Sequence, residues 1–218
     1  MKSDFFYLIK KSKENDVKSP IVFLLHGFGS NEQDLFSFSP YLSEDVTIVS
    51  LRAPISLYPN SFAWYNIYYS GSVKSYDKEA AKLIKDKLIS EMSYFIKKYN
   101  CDPNRITVIG FSQGAILGHA IAQSSNIKNL VALSGYVDKD LVTFDNNNKT
   151  SIYISHGRDD EVIPYKDSFE TNLILDEKNI DYGSEIKKLI KQMATRRRNV
   201  SAGSSGLSQL VAPSKSRS

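Results

Sequence analysis

The sequence predicts an α/β fold, in which helices cover both faces of a mostly parallel sheet. Short apolar runs alternate with longer segments of helical periodicity, and turn residues separate them. The runs typical of strands buried on both faces are Ile21–Leu25, Thr47–Leu51, Ile106–Gly110, Leu130–Ser134 and Ser151–Ser155. The segment Phe5–Ile9 is expected to form an edge strand before them.

Three segments between and after these runs have the pattern of helices. Asp77–Tyr99 places apolar residues at helical spacing, with lysines on the other side. Gly114–Gln123 is apolar nearly all round, which predicts a helix packed deep against the sheet, and Tyr165–Glu177 supplies a further helix. Strands that alternate with helices in this way indicate parallel neighbours joined by crossovers, so the fold class is α/β.

Composition narrows the range of functions. Hydrophobic residues make up 41% and charged residues 24% of the 218 residues, a balance typical of a folded globular protein rather than a disordered or fibrous one. No apolar run is long enough to span a membrane or to form the core of a signal peptide. The single cysteine, Cys101, excludes an internal disulfide. We therefore expect a cytoplasmic protein without a membrane span.

The C-terminal segment differs in composition from the rest of the chain. The net charge of +4 arises from basic residues after position 195, including Arg196–Arg198, so residues 1–195 are close to neutral. We predict a domain over residues 1–195 and a basic, Ser/Gly-rich disordered tail over residues 196–218. A near-neutral domain argues against nucleic acid as a partner. A contact of Arg196–Arg198 with nucleic acid or an acidic surface is the weakest alternative.

A G-x-S-x-G segment, Gly110-Phe111-Ser112-Gln113-Gly114, joins the predicted strand Ile106–Gly110 to the apolar helix. A serine on a sharp turn between strand and helix exposes its hydroxyl, and the amides of the following helix point at developing negative charge. This context favours a nucleophilic serine over a glycine-rich turn with an incidental one.

Two further motifs follow strands. His26-Gly27-Phe28-Gly29 comes after Ile21–Leu25, where a glycine-rich turn can aim backbone N–H groups at an oxyanion, together with the amide of Gln113. The loop 156–164 comes after Ser151–Ser155 and holds two candidates, Asp159 and Asp160, for a carboxylate that orients a catalytic histidine. The alternative for this loop is an Asp-rich turn that caps the next helix.

Together these motifs resemble those of the phospholipase/carboxylesterase family of α/β-hydrolases, which includes bacterial carboxylesterases and acyl-protein thioesterases. The matching segments are HGFG (26–29), RAP (52–54), the aromatic loop around Trp64, GFSQGA (110–115) and HGRDDEVIP (156–164). The resemblance implies that Ser112 is the nucleophile and Asp160 the acid. It also implies that the amides of Phe28 and Gln113 form the oxyanion hole, and that acyl esters or thioesters are hydrolysed with no metal and no cofactor.

The sequence lacks a histidine where this family places its general base. In the family the order is serine, acid, histidine, and no histidine follows Asp160 here. The three histidines of the chain are His26, His119 and His156. After Tyr182 the family continues with a strand and a loop that reads like Gly-His-Glu-Ile, whereas this chain has Gly183-Ser184-Glu185-Ile186. The last strand is therefore predicted to be missing together with the base.

Two explanations for the absent base stay open. One is a C-terminus that is truncated, frameshifted or joined to foreign sequence after an otherwise ordinary esterase. The other is a natural inactive relative that keeps the pocket as a non-catalytic acyl-ligand binder. A third, in which Lys187 acts as the base, has no motif behind it. Because loss of one triad member costs several orders of magnitude in rate, we predict a weak hydrolase.

The segment 58–76 is dense in aromatic residues and includes the one tryptophan, Trp64. Such a loop over the carboxyl ends of the strands suits an apolar acyl chain or an aromatic ester, which makes Trp64 the candidate substrate-binding residue. The equally weighted alternative is that these rings pack the loop onto the core.

Overall fold

In the computed structural model, the described residues are 2–13, 18–71, 73–144, 149–178, 180 and 182. Several predictions fall elsewhere in the chain. The tail 196–218, the domain boundary at residue 195, and Ser184 and Lys187 all lie outside the described residues.

The strands that the structure describes form one large sheet and two small ones. In chain order they are β1 (Tyr7–Lys10), β2 (Ile21–Leu25), β3 (Thr47–Leu51), β4 (Ile55–Tyr58), β5 (Ser61–Ala63), β6 (Ile67–Ser70), β7 (Val73–Tyr76), β8 (Ile106–Phe111), β9 (Asn129–Leu133) and β10 (Ser151–Ser155). The helices are α1 (Gln33–Phe36), α2 (Lys78–Lys98), α3 (Gln113–Ser124) and α4 (Tyr165–Glu177), with a 3-10 turn at Ser39–Tyr41.

The large sheet has the strand order β1-β3-β2-β8-β9-β10. Every pair of neighbours is parallel except β1 with β3, which is antiparallel. A predominantly parallel sheet with intervening helices confirms the predicted α/β class. Beside β10, Tyr182 makes an isolated parallel bridge with Ile152.

The predicted strands agree with the observed ones to within a few residues. Three of the five buried runs match at both ends, because β2, β3 and β10 are apolar blocks that turn residues delimit. The strand predicted over Leu130–Ser134 begins and ends one residue earlier, at Asn129–Leu133. Ser134 adopts a φ of 50° and cannot continue the strand. The edge strand lies at Tyr7–Lys10 instead of Phe5–Ile9.

Helix α2 begins where its sequence indicates. The Asp77 carboxylate accepts a hydrogen bond from the amide of Ala80 at 3.0 Å, which caps the first turn. Its buried residues include Ile84, Leu88 and Phe95, one face of the helix. Among the described residues, none of the helices combines the length and apolar character that crossing a membrane requires.

Helix α3 lies at the centre of the core, as its apolar sequence predicts. Residues 113–123 are all buried, and the helix contacts β2, β8 and β9. Gly118 allows this close approach, since a Cβ there would lie 2.7 Å from a side-chain carbon of Leu130. The helix therefore packs directly behind the strands that carry the candidate site.

The aromatic segment 58–76 is more ordered than a loop. It contributes to two antiparallel pairs, β4 with β5 and β6 with β7. Each of these strands has only three or four residues, so a periodic sequence signal is weak. The residues between them, Trp64 and Tyr65, are buried against the core.

Candidate active site

Ser112 lies on a sharp turn between β8 and α3, as the G-x-S-x-G segment predicts. Its backbone has φ 51° and ψ −116°, a region that a residue with a side chain rarely adopts. The turn is held from both sides: the Ser112 amide donates to the carbonyl of Leu133 at 2.9 Å, and its own carbonyl accepts from Ala115 at 2.9 Å. Strain of this kind is characteristic of a nucleophile elbow.

The two glycines of the motif are required by close backbone approaches. A Cβ at Gly110 would lie 2.7 Å from the Cα of Ala115, so a side chain there would separate strand from helix. A Cβ at Gly114 would lie 2.8 Å from the carbonyl oxygen of His26, at the end of β2. The sequence G-x-S-x-G thus brings the start of α3 against the carboxyl ends of two strands.

The turn 26–29 lies directly beside the serine. A Cβ at Gly27 would lie 3.3 Å from the Cβ of Ser112, and Gly29 takes a φ of 79° that suits glycine. The amides of Phe28 and Gln113 have no hydrogen-bond partner in the described part of the chain. Two unpaired N–H groups flanking a serine are what an oxyanion hole requires.

The carboxylate of Asp160 lies in the loop after β10. One of its oxygens accepts hydrogen bonds from the amides of Val162 at 2.9 Å and Ile163 at 3.0 Å. The amide of Ile163 above all holds the pKa of Asp160 below its usual value, so it is ionised near neutral pH. Asp159 is exposed, which leaves Asp160 as the anchored member of the pair.

Ser112 and Asp160 lie at the same end of the sheet. The strands β8, β9 and β10 end in register, with Phe111 opposite Leu133 and Leu133 opposite Ser155. The elbow follows β8 and the acid loop follows β10, so one strand separates them. Two strand spacings amount to about 10 Å.

Both ring nitrogens of His26 form hydrogen bonds with the backbone. Its Nε2 lies 3.1 Å from the amide of Ala53, which can only donate, so Nε2 accepts. Its Nδ1 therefore carries the proton and donates to the carbonyl of Gly27 at 2.8 Å. Burial lowers the pKa of His26, which keeps this neutral tautomer.

The other two histidines are also buried. His119 lies within α3 with its side chain 1% exposed, and burial lowers its pKa to about 4. His156 donates from Nε2 to the carbonyl of Ile163 at 2.7 Å and lies 3.6 Å from an oxygen of Asp160. Its Nδ1 is buried without a partner among the described residues. His156 therefore closes the acid loop.

We expect the free energy of unfolding to fall by about 2 kcal/mol between pH 7 and pH 5 because of His119. The unfolded imidazole binds a proton below its usual pKa of 6.5, whereas the folded one stays neutral down to about 4. Stability therefore rises with pH across this window. Urea unfolding of the His119→Leu variant at both pH values should show a smaller difference than wild type.

Gln123→Leu is the matched control for this measurement. Gln123 lies one turn further along α3, is 6% exposed, and has no hydrogen bond from its side-chain amide among the described residues. It does not titrate, so this variant should keep the pH dependence of wild type. An equal loss of pH dependence in both variants would contradict the assignment to His119.

Trp64, the candidate substrate-binding residue, has a buried side chain. Its side chain is 1% exposed, and its Nε1 donates to the carbonyl of His26 at 2.8 Å. This placement favours the packing role for Trp64 over a contact with substrate. The side chain of Gln113 was not singled out by the sequence motifs, yet it holds the Trp64–Tyr65 backbone through two hydrogen bonds.

The arginine of the RAP motif supports the same region. Arg52 forms a two-pronged ion pair with Glu32, at 2.6 Å from Nε and 2.7 Å from Nη2, and this pairing lowers the pKa of Glu32. Its guanidinium carbon also lies over the rings of Phe6 and Phe62, at 4.1 and 4.6 Å from their centres. Glu32 follows the turn 26–29, so the pair ties that turn to the end of β3.

No cluster of three or more His, Cys, Asp or Glu side chains suited to a metal ion occurs within the described residues. The groups that the structure places near Ser112 are backbone amides and aromatic rings. The carboxylate of Asp160 lies two strands away, in the loop after β10. Phe28, in the turn 26–29, is 42% exposed, and Phe111, which directly precedes Ser112 in the chain, is 39% exposed.

Known proteins are similar to this chain in sequence or in fold. An acyl-protein thioesterase 1 from Kluyveromyces lactis is 26% identical over 202 residues, which cover 83% of this chain and 80% of that protein. A carboxylesterase structure from Bacillus cereus superposes with a TM-score of 0.72 at 22% identity, covering 83% and 84% of the two chains. An acyl-protein thioesterase 2 structure from Zea mays gives a TM-score of 0.61 at 17% identity, covering 82% and 88%.

The family model described as phospholipase/carboxylesterase matches residues 9–199, most of the chain. This match includes the turn 26–29, the elbow and the acid loop, and the family's members act as carboxylic-ester or thioester hydrolases with a serine nucleophile. The chain therefore belongs to the phospholipase/carboxylesterase family of α/β-hydrolases.

Proposed function

We propose that this chain is a serine carboxylesterase or thioesterase whose activity is impaired because no histidine follows Asp160. The observation that carries the proposal is the strained Ser112, flanked by the amides of Phe28 and Gln113, which have no partner among the described residues. A folded protein keeps such a backbone conformation where the surrounding structure compensates for it, most often at a functional site.

Each residue has a defined task in the reaction. The Ser112 hydroxyl oxygen attacks the acyl carbonyl, its proton passes to a base, and the carbonyl oxygen becomes an oxyanion that the amides of Phe28 and Gln113 stabilise. The alcohol or thiol then leaves with a proton, and water hydrolyses the acyl-enzyme. Ionised Asp160 would orient and stabilise an imidazolium between the elbow and the acid loop.

The three histidines of the chain are poorly suited to serve as that base. His26 uses both ring nitrogens in backbone hydrogen bonds. His119 is a buried residue of α3. The His156 side chain is 1% exposed and donates its Nε2 proton to the carbonyl of Ile163. A serine hydroxyl without a base is a weak nucleophile near neutral pH, so acylation should be slow.

The substrate class that fits is an ester or thioester with an apolar acyl group. Phe28 and Phe111 present partly exposed rings, and a Cβ at Gly27 would lie 2.9 Å from the Phe111 ring. Apolar walls next to a few converging polar groups are typical of small-molecule sites. The names of the thioesterase relatives are consistent with this class, and no metal or cofactor takes part in the proposed reaction.

The second candidate is a non-catalytic acyl-ligand binder on the same scaffold. The observation that favours it is the absence of any histidine after Asp160 in the sequence. It differs from the first candidate in one respect, which is whether Ser112 can be acylated.

Labelling with a fluorophosphonate probe tests the proposal, with p-nitrophenyl acetate turnover measured in parallel. We expect slow labelling of wild type and none of Ser112→Ala. Ser125→Ala is the matched control, because Ser125 caps the other end of α3 and its hydroxyl donates to Ile121. Labelling that survives Ser112→Ala would contradict the nucleophile, and folded protein that never labels would favour the binder.

A further inference from the structure

We propose that the side chains of His26, Trp64 and Gln113, the 26–64–113 network, position the two oxyanion amides relative to each other. The inference rests on the proposed function of the amides of Phe28 and Gln113. These amides come from segments that are far apart in the sequence, the turn after β2 and the start of α3. An oxyanion hole works only if both donors converge on one point.

The first link runs from Gln113 to the residues after β5. The Gln113 Oε1 accepts from the amide of Trp64 at 2.9 Å, and its Nε2 donates to the carbonyl of Tyr65 at 2.8 Å. Gln113 is 2% exposed, so both bonds are shielded from water. One side chain thereby fixes Trp64 and Tyr65 against the residue whose own amide is an oxyanion donor.

The second link runs from Trp64 to the end of β2. The indole Nε1 donates to the carbonyl of His26 at 2.8 Å, and the two rings lie 5.2 Å apart between centres. The indole has one polar group, the Nε1–H, so its hydrogen bond to His26 fixes the orientation of the buried ring.

The third link runs through the imidazole of His26. Its Nδ1 donates to Gly27 and its Nε2 accepts from Ala53, so the ring joins the turn to the residue after Arg52. Gly27 immediately precedes Phe28, the other proposed oxyanion donor. Among the described residues, the three side chains thus form a continuous path of hydrogen bonds from Gln113 to the peptide next to Phe28.

The far side of the turn is held by β5. The amide of Gly29 donates to Phe62 at 2.9 Å, and the amide of Phe62 donates to Ser30 at 2.8 Å. The segment 62–65 therefore contacts the turn on both sides of Phe28 while Gln113 holds its other end. Trp64 acts through these contacts as a positioning residue.

The test measures how fast a fluorophosphonate phosphonylates Ser112 in the full-length chain carrying Trp64→Phe or Gln113→Met. Trp64→Phe keeps a large ring and loses the donor, and Gln113→Met keeps the length and loses both hydrogen bonds. We expect the maximal phosphonylation rate to fall at least tenfold in each variant, with less than a threefold change in the half-saturating probe concentration. Gln123→Met, at the buried far end of α3, should match wild type.

A second readout does not depend on reactivity. Hydrogen exchange of the Ala53 amide, which donates to His26, should accelerate in Trp64→Phe and Gln113→Met by more than exchange of the Leu88 amide in α2. A substitution that merely destabilised the protein would accelerate both amides alike. The double variant should be no slower in phosphonylation than the slower single variant, since both remove the same support.

The outcomes separate the two proposals. Unchanged phosphonylation together with equal acceleration of both amides would overturn the network. If wild type is not labelled at Ser112, the proposed function fails and the exchange comparison alone decides whether the 26–64–113 network holds the turn: selective acceleration at Ala53 supports it, and equal acceleration overturns it.

Discussion

Ser184→His is expected to raise the rate of Ser112 acylation by about a hundredfold to ten-thousandfold, the usual contribution of a general base. One alignment with the family's Gly-His-Glu-Ile loop puts Ser184 at the histidine position, and another deletes the strand and the histidine together. The expected gain applies to the first alignment, and an unchanged rate would favour the second. Turnover of p-nitrophenyl acetate and the rate of fluorophosphonate labelling give the measurement. The substituted chain should also show a rate that increases with pH through the histidine pKa, near 6.5.

Three comparisons make this result specific. Ser184→Gln introduces a polar side chain that cannot act as a base and should leave the rate at the wild-type level. Combining Ser184→His with Asp160→Asn should remove most of the gain, because the acid orients the imidazole. Added imidazole should accelerate fluorophosphonate labelling of wild type, and Ser112→Ala should stay unlabelled. A wild-type rate already typical of serine esterases would contradict the whole interpretation, since it would require a base that the sequence motifs do not reveal.

The fold class was predictable because its signals are local. Strands β2, β3 and β10 are apolar blocks between turn residues, and α3 is an apolar segment directly after a glycine-flanked serine. Because both faces of β2 and β3 are buried, their sequences are continuous apolar runs, which are easier to recognise than alternating apolar and polar residues. The G-x-S-x-G motif is also contiguous in the sequence, so it indicates the turn at Ser112 even though Gly114 is required by the distant residues Leu25 and His26.

The support of the site was not predictable from the sequence, because it depends on contacts between distant residues. Gln113 and Trp64 are 49 residues apart, and His26 and Ala53 are 27 apart. Nothing in the residues around Trp64 distinguishes an indole that binds substrate from one that donates to a buried carbonyl. The same holds for the short pairs β4–β5 and β6–β7, whose strands are too brief for a periodic pattern.

The roles of Ser112, Asp160, Phe28 and Gln113 stay predictions, but the geometry gives each a physical basis. Asp160 accepts two backbone hydrogen bonds, which lower its pKa, whereas Asp159 is exposed, a distinction that the loop sequence left open. The amides of Phe28 and Gln113 are assigned by their lack of a partner among the described residues. Such distinctions require the positions of neighbouring strands.

Gly114→Ala is expected to lower the free energy of unfolding by about 4 kcal/mol or more, or to prevent folding. The added Cβ would lie 2.6 Å from the carbonyl carbon of Leu25 and 2.8 Å from the carbonyl oxygen of His26, where real Cβ atoms do not occur. Both neighbours are backbone atoms, one in the central strand β2 and one in the residue that follows it, so neither can rotate away. Urea denaturation followed by circular dichroism gives the value.

Gly157→Ala is the matched control, because the same methyl group meets only the Cβ of Asp160, at 3.9 Å, an ordinary contact. Its stability should lie within about 1 kcal/mol of wild type, since an alanine in unstrained backbone costs little. If Gly114→Ala proved as stable as Gly157→Ala, α3 could not lie as close to β2 as the structure shows. The elbow depends on that closeness: the glycine that admits the carbonyls of Leu25 and His26 also brings the amide of Gln113 towards the turn that carries Phe28. The stability of the protein and the geometry proposed for acyl transfer therefore both require that residue 114 have no side chain.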